Sequence, residues 1–171
     1  DLKSNQAFLT LSYGIFNRLV FDGKLGVGDI KNDFVNNTDL DYDIGWGGGY
    51  GLRFKLYENE GKKIIFGAHH ISIHPPEKEL NSTEYKAIID DNQIDMLFSK
   101  EFDFGTPYLG WKLSRSRLLR RDDSDNSSLH SPWKMGFILG YDKEIFPNTY
   151  LNLEMRLIDE TSFSAGLSHK F

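Results

Sequence analysis

Cysteine is absent, which removes disulfides, thiolate metal ligands and thiol nucleophiles together. No apolar run approaches the roughly 18 residues a membrane helix requires, and mean hydropathy is low at -0.45. That excludes helical spans but not a strand-built membrane protein, because barrel strands are only half apolar. No segment sustains a helical or heptad period, and no repeat recurs at a solenoid spacing. Charge of neither sign dominates: 20 Lys and Arg against 25 Asp and Glu leave a formal net charge of -5, with the two signs interspersed. Such a surface does not suit general nucleic-acid binding. A recognisable export leader is also missing, and Asp1 reads as the start of a mature or trimmed chain. Nothing in the pattern calls for a cofactor or a resident metal.

What the chain does have is alternation. Leu40, Tyr42, Ile44, Trp46, Gly48, Tyr50, Leu52, Phe54 and Leu56 occupy every even position of one segment. Between them stand Asp41, Asp43, Gly45, Gly47, Gly49, Gly51, Arg53 and Lys55. Successive strand side chains point to opposite faces, so this segment has one apolar face and one polar, glycine-rich face. It also exceeds the five or six residues of an ordinary globular strand, whereas a tilted membrane-crossing strand needs roughly nine to eleven. Aromatic residues make up 14% of the chain, a share that fits rings placed at two membrane interfaces.

The same pattern predicts eight strands. The first starts near Ala7, the second is the segment above, and the third covers about 63–74, stopped by Pro75 and Pro76. The others cover about 85–100, 108–114, 133–141, 151–157 and 163–171. Polar connections at 22–39 and 115–131 read as long loops, while 58–61, 100–106 and 142–148 read as short turns. An even strand count with short turns at one end predicts an all-β, eight-stranded antiparallel up-and-down transmembrane barrel, one domain over 1–171. Both termini are then expected on the short-turn, periplasmic side.

Period alone does not say which face is inside, and a soluble lipocalin-like barrel has a similar length and strand count. Two features favour the apolar face outward. Glycines crowd the polar face, where a narrow interior has use for missing side chains. Large residues fill the apolar face at nearly every position, more than a narrow lumen can pack. With the polar face inward, Asp41, Asp43, Arg53, Lys55, Asp95, Lys112, Lys134, Glu154 and Arg156 project into the lumen. Confined charges should pair, so the expectation is a closed, salt-bridged plug rather than a pore, with Glu154 held by Lys134, Lys112 or Arg53 and Arg156 near the level of Asp43.

Two further groups stand out. In His69-His70-Ile71-Ser72-Ile73-His74, alternation with Ile65, Gly67, Ile71 and Ile73 toward lipid places His70, Ser72 and His74 on the inner face. A serine beside a histidine is the minimum for acyl transfer, although rim histidines with polar contacts fit the same residues and no orienting carboxylate is obvious. His70 and His74 alone make a poor zinc site. Arg115, Arg117, Arg120 and Arg121 cluster beyond the fifth strand, where guanidinium groups suit phosphates of lipopolysaccharide or simply balance Asp122, Asp123 and Asp125.

Phe163-x-Ala165-x-Leu167-x-His169-x-Phe171 resembles the terminal strand of outer-membrane barrels, whose final Phe and alternating apolar residues are read by the barrel-assembly machinery. Thr106-Pro107-Tyr108-Leu109-Gly110 and Leu157-Ile158-Asp159-Glu160-Thr161 are similar to phrases in small outer-membrane proteins with an OmpA-type transmembrane domain. Trp46-Gly47-Gly48-Gly49-Tyr50-Gly51-Leu52 is similar to a phrase in the lipid A palmitoyltransferase. The resemblance implies a Gram-negative-type outer membrane and a porin-like fold, with lipid and lipopolysaccharide as neighbours. It implies no activity, since the fold carries anchors, adhesins and enzymes. The expected role is therefore non-enzymatic, structural or surface-interacting, with a protein partner met by the external loops 22–39 and 115–131. The alternatives are a lipid A acyl-modifying enzyme and the lipocalin-like ligand carrier.

Overall fold

A computed structural model describes residues 2–32, 42–80, 83–121, 126–159 and 161–169. Twelve strands form: β1 (Leu2–Lys3), β2 (Gln6–Phe16), β3 (Leu19–Asn32), β4 (Tyr42–Asn59), β5 (Lys62–His74), β6 (Lys78–Leu80), β7 (Thr83–Lys100), β8 (Thr106–Arg121), β9 (Asn126–His130), β10 (Lys134–Phe146), β11 (Thr149–Leu157) and β12 (Ser162–His169). No helix forms among the described residues. Nine long strands, β2, β3, β4, β5, β7, β8, β10, β11 and β12, pair antiparallel in chain order and curl into an open half-barrel. The short β1, β6 and β9 extend it, pairing with β3, β7 and β8.

The strand count departs from the expected eight because 22–32 is not loop. Leu19, Phe21, Leu25 and Val27 alternate with Val20, Asp22, Lys24 and Gly26, and the segment pairs with β2 and β4 on its two sides. Its glycines are spaces rather than breaks: a Cβ on Gly26 would run into the Ala7 carbonyl and the Phe8 side chain. Likewise 115–131 is mostly strand, divided between β8 and β9, with 122–125 outside the described residues. Residues 33–39 of the other expected loop lie outside them as well.

Tight turns at 17–18, 60–61, 101–105 and 147–148 gather at one end of the sheet. Glu60 and Gly61 both have positive φ, 47° and 74°, as a two-residue hairpin between twisted strands requires. The strand ends Asn32, Tyr42, His74, Thr83, Arg121, Lys134, Leu157 and Ser162, which flank the longer connections, lie at the other end. Because nine strands alternate direction, β2 and β12 run the same way, and Gln6 and His169 lie at opposite ends of the sheet.

The two faces are sorted by polarity, apolar side chains outward and polar ones inward. Outward along β4, Trp46 is 60% exposed, Tyr50 58% and Leu52 46%, and Leu109, Trp111, Phe137 and Leu139 continue that apolar wall. Inward, Asp22, Gln93, Asp95, Lys112 and Ser114 are buried. At the end with the longer connections the interior changes character: Ile30, Tyr42, Ile73, Ala87, Ile89 and Leu118 pack into the one apolar cluster of buried side chains seen among the described residues.

Candidate functional site

The inward face is a network of paired charges. Arg53 grips Asp22 with two nitrogens, Nε to Oδ2 at 2.6 Å and Nη2 to Oδ1 at 2.7 Å, and the Ser12 hydroxyl donates to the same carboxylate. Lys112, fully buried, places Nζ 2.9 Å from Asp159 Oδ2, which also accepts from Ser114 Oγ at 2.6 Å. Arg156 donates to Glu154 at 2.7 Å and, across two intervening strands, to Gln93 Oε1 at 3.0 Å. Tyr108 donates to the other Glu154 oxygen at 3.1 Å. His69 Nε2 lies 3.1 Å from Asp95 Oδ2, in space left by Gly51 and Gly67, where a Cβ would collide with that pair. Lys55 pairs with Glu58 near the tight turns.

Of the lumen charges expected from parity, Arg53, Lys55, Asp95, Lys112, Glu154 and Arg156 join this face and take partners. Lys134 is exposed at the end with the longer connections, and Asp41 lies outside the described residues. Asp43 is exposed and takes no part, because an extra residue in β4 between Tyr42 and Gly45 turns Tyr42 inward against Ile30. The expected pairing of Glu154 with Lys134, Lys112 or Arg53 gives way to a pairing with Arg156, its neighbour two residues along the strand. Asp22, His69 and Asp159 were not anticipated: Asp22 falls in the strand read as loop, and Asp159 falls in a connection.

The expected facing of β5 is reversed. His70 is registered opposite Tyr50, Ser72 opposite Gly48 and His74 opposite Trp46, all on the outward wall, while Gly67, His69, Ile71 and Ile73 turn inward. A one-residue difference in register exchanges the faces of a whole strand, and the two adjacent histidines left that register open. The result is a polar ledge on the outer wall. His74 stacks on Trp46 with centroids 4.1 Å apart, and His70 lies against Tyr50 at 5.2 Å. Ser72 Oγ lies 2.8 Å from His74 Nε2 and donates to Asp90 Oδ1 at 2.7 Å; His70 Nδ1 meets Asn92 Oδ1 at 3.0 Å. An amide oxygen accepts, so this contact holds the His70 ring through an Nδ1–H donated to Asn92. The ledge continues onto β8, where Arg115 is registered opposite Asn92 and Arg117 opposite Asp90.

Arg120 and Arg121 are registered opposite Ala87 and Lys86, and their side chains lie outside the described residues. Phe163 and Leu167 of β12 are exposed on the outward wall, while Phe171 lies outside the described residues. No group of three potential metal ligands gathers among the described residues. No protein-family model matches the chain, and no curated protein is significantly similar to it.

Proposed function

We propose that this chain is a bacterial outer-membrane β-barrel protein, with the tight-turn end toward the periplasm and a closed, salt-bridged polar lumen. The observation that carries this is the inversion of its faces: apolar residues cover the outside while charges pair inside. In water such a wall would be an aggregation surface, whereas hydrocarbon is the solvent it matches. The resemblance of β12 to terminal barrel strands supports recognition by the barrel-assembly machinery through Phe163, Leu167 and Phe171. A bilayer does not tolerate open sheet edges, so β2 and β12 must be covered there. Since they run the same way, pairing them directly would make one parallel seam, and only one of the two chain ends faces the periplasm.

On this reading the protein serves the envelope as a structural or surface-interaction barrel, meeting lipid and lipopolysaccharide along its wall and a protein partner at the longer connections. Pairing of charges across the interior, with the apolar cluster above them, opposes a water path. Planar-bilayer recordings of the purified protein should therefore show at most small, rare conductances; steady porin-sized steps would refute the plug.

One observation favours a second reading, a lipid acyl-modifying enzyme: Ser72 and two histidines share the lipid-facing ledge. The parts are split, however. Ser72 contacts His74, which stacks on Trp46, while the histidine oriented by an amide is His70. Ser72 also gives its proton to Asp90 rather than to a base held ready. Mass spectrometry of envelope lipids from cells with and without the protein separates the readings. The structural role predicts an unchanged acyl pattern; a changed pattern that Ser72→Ala abolishes establishes the enzyme instead.

A further inference from the structure

Arg115 and Arg117 lie on one face of β8, roughly 7 Å apart along the strand. Neither forms an ion pair among the described residues, and Arg117 Nε is buried without an acceptor. The nearest carboxylate across the ladder, Asp90, accepts from Ser72. One step toward the tight-turn end, the same outward rows become wholly apolar, with Leu113 registered opposite Ile94 and Trp111 opposite Met96. Two guanidinium groups therefore stand at the upper edge of a hydrocarbon-like wall, Arg115 exposed and Arg117 with its Nε lacking an acceptor. A buried donor without a partner is unfavourable, and a guanidinium fork fits phosphate oxygens.

We propose that Arg115 and Arg117 hold the phosphate of an anionic membrane lipid whose acyl chains lie along the wall beneath them, with Asn92 as a further donor to the head group. This rests on the membrane-facing reading of the outer wall and names its ligand class. The wall decides between the two sources of such an anion: free phosphate shares the head chemistry but leaves the apolar rows uncovered.

The test uses the full chain in phosphatidylcholine nanodiscs, titrated with phosphatidic acid and read by native mass spectrometry. Retention of phosphatidic acid over phosphatidylcholine should be at least about tenfold, given charge-assisted bonds from two arginines. The double variant R115Q/R117Q should lose most of that preference, while K62Q/K100Q at the opposite end keeps it. Millimolar inorganic phosphate should not displace the lipid. Undiminished preference in R115Q/R117Q overturns the site, and displacement by inorganic phosphate overturns its lipid character. Failure of the wild type to insert into nanodiscs at all, judged by remaining soluble without lipid or detergent, sinks the membrane reading itself. Insertion without lipid preference removes this inference alone.

Discussion

Replacing Asp159 with alanine should lower the unfolding free energy by about 3–5 kcal/mol, measured by urea titration in lipid vesicles with tryptophan fluorescence as the signal. Lys112 has no exposed side-chain surface, and Asp159 is the carboxylate that the structure sets 2.9 Å from its ammonium. Moving a charge out of water is expensive, and the pair offsets that only while both members remain. Lys112→Met should be comparably damaging, because it leaves a buried carboxylate without its cation. The double variant K112M/D159L removes both charges and should recover most of the loss, since an apolar pair of similar volume is often neutral or better. A loss below about 1 kcal/mol for Asp159→Ala would mean that water or its other contacts, rather than Asp159, hold the Lys112 ammonium.

The second large effect belongs to the opposite face. Phe137 is 42% exposed on β10, registered between Trp111 and Leu157 in the apolar wall. Phe137→Arg should destabilise the vesicle-inserted protein by about 2–4 kcal/mol, the range for a cation near the bilayer midplane on a barrel's lipid face. In a water-soluble barrel the same substitution at a half-exposed position would change stability by about 0.5 kcal/mol or less. Lys143→Arg, on the same face close to the tight-turn end, is the matched control and should be silent.

The face of each residue was easier to read than its partner. In β4 the alternation runs unbroken through Trp46, Tyr50, Leu52 and Phe54, and a period of two leaves little choice of face once large residues fill one side. The inward charges Arg53, Lys112, Glu154 and Arg156 follow from that parity. Their partners do not, because a pairing depends on strand count, curl and relative height. Asp22 was hidden in a stretch where Asp, Lys and Gly imitate a loop, although Leu19, Phe21, Leu25 and Val27 carry the strand period beneath them. Asp159 belongs to a connection, where no period exists. In β5, Ile64 and Ile65 and then His69 and His70 put like residues on both faces, so composition could not select the register that pairing with Tyr50 supplies. Asp43 was displaced by a bulge, which shifts parity by one and leaves no mark in the composition.

The central claim, that hydrocarbon covers the even face of β4, is tested most directly by nitroxide labels placed singly at residues 50, 52, 53, 54 and 55 in lipid vesicles. Labels at Tyr50, Leu52 and Phe54 should collide freely with dissolved oxygen and scarcely with a water-soluble nickel chelate, while those at Arg53 and Lys55 should be shielded from lipid-borne oxygen. That period of two in oxygen accessibility is the predicted result. Even positions that meet the nickel chelate, or that are shielded from both probes while the odd positions are open to water, would contradict it.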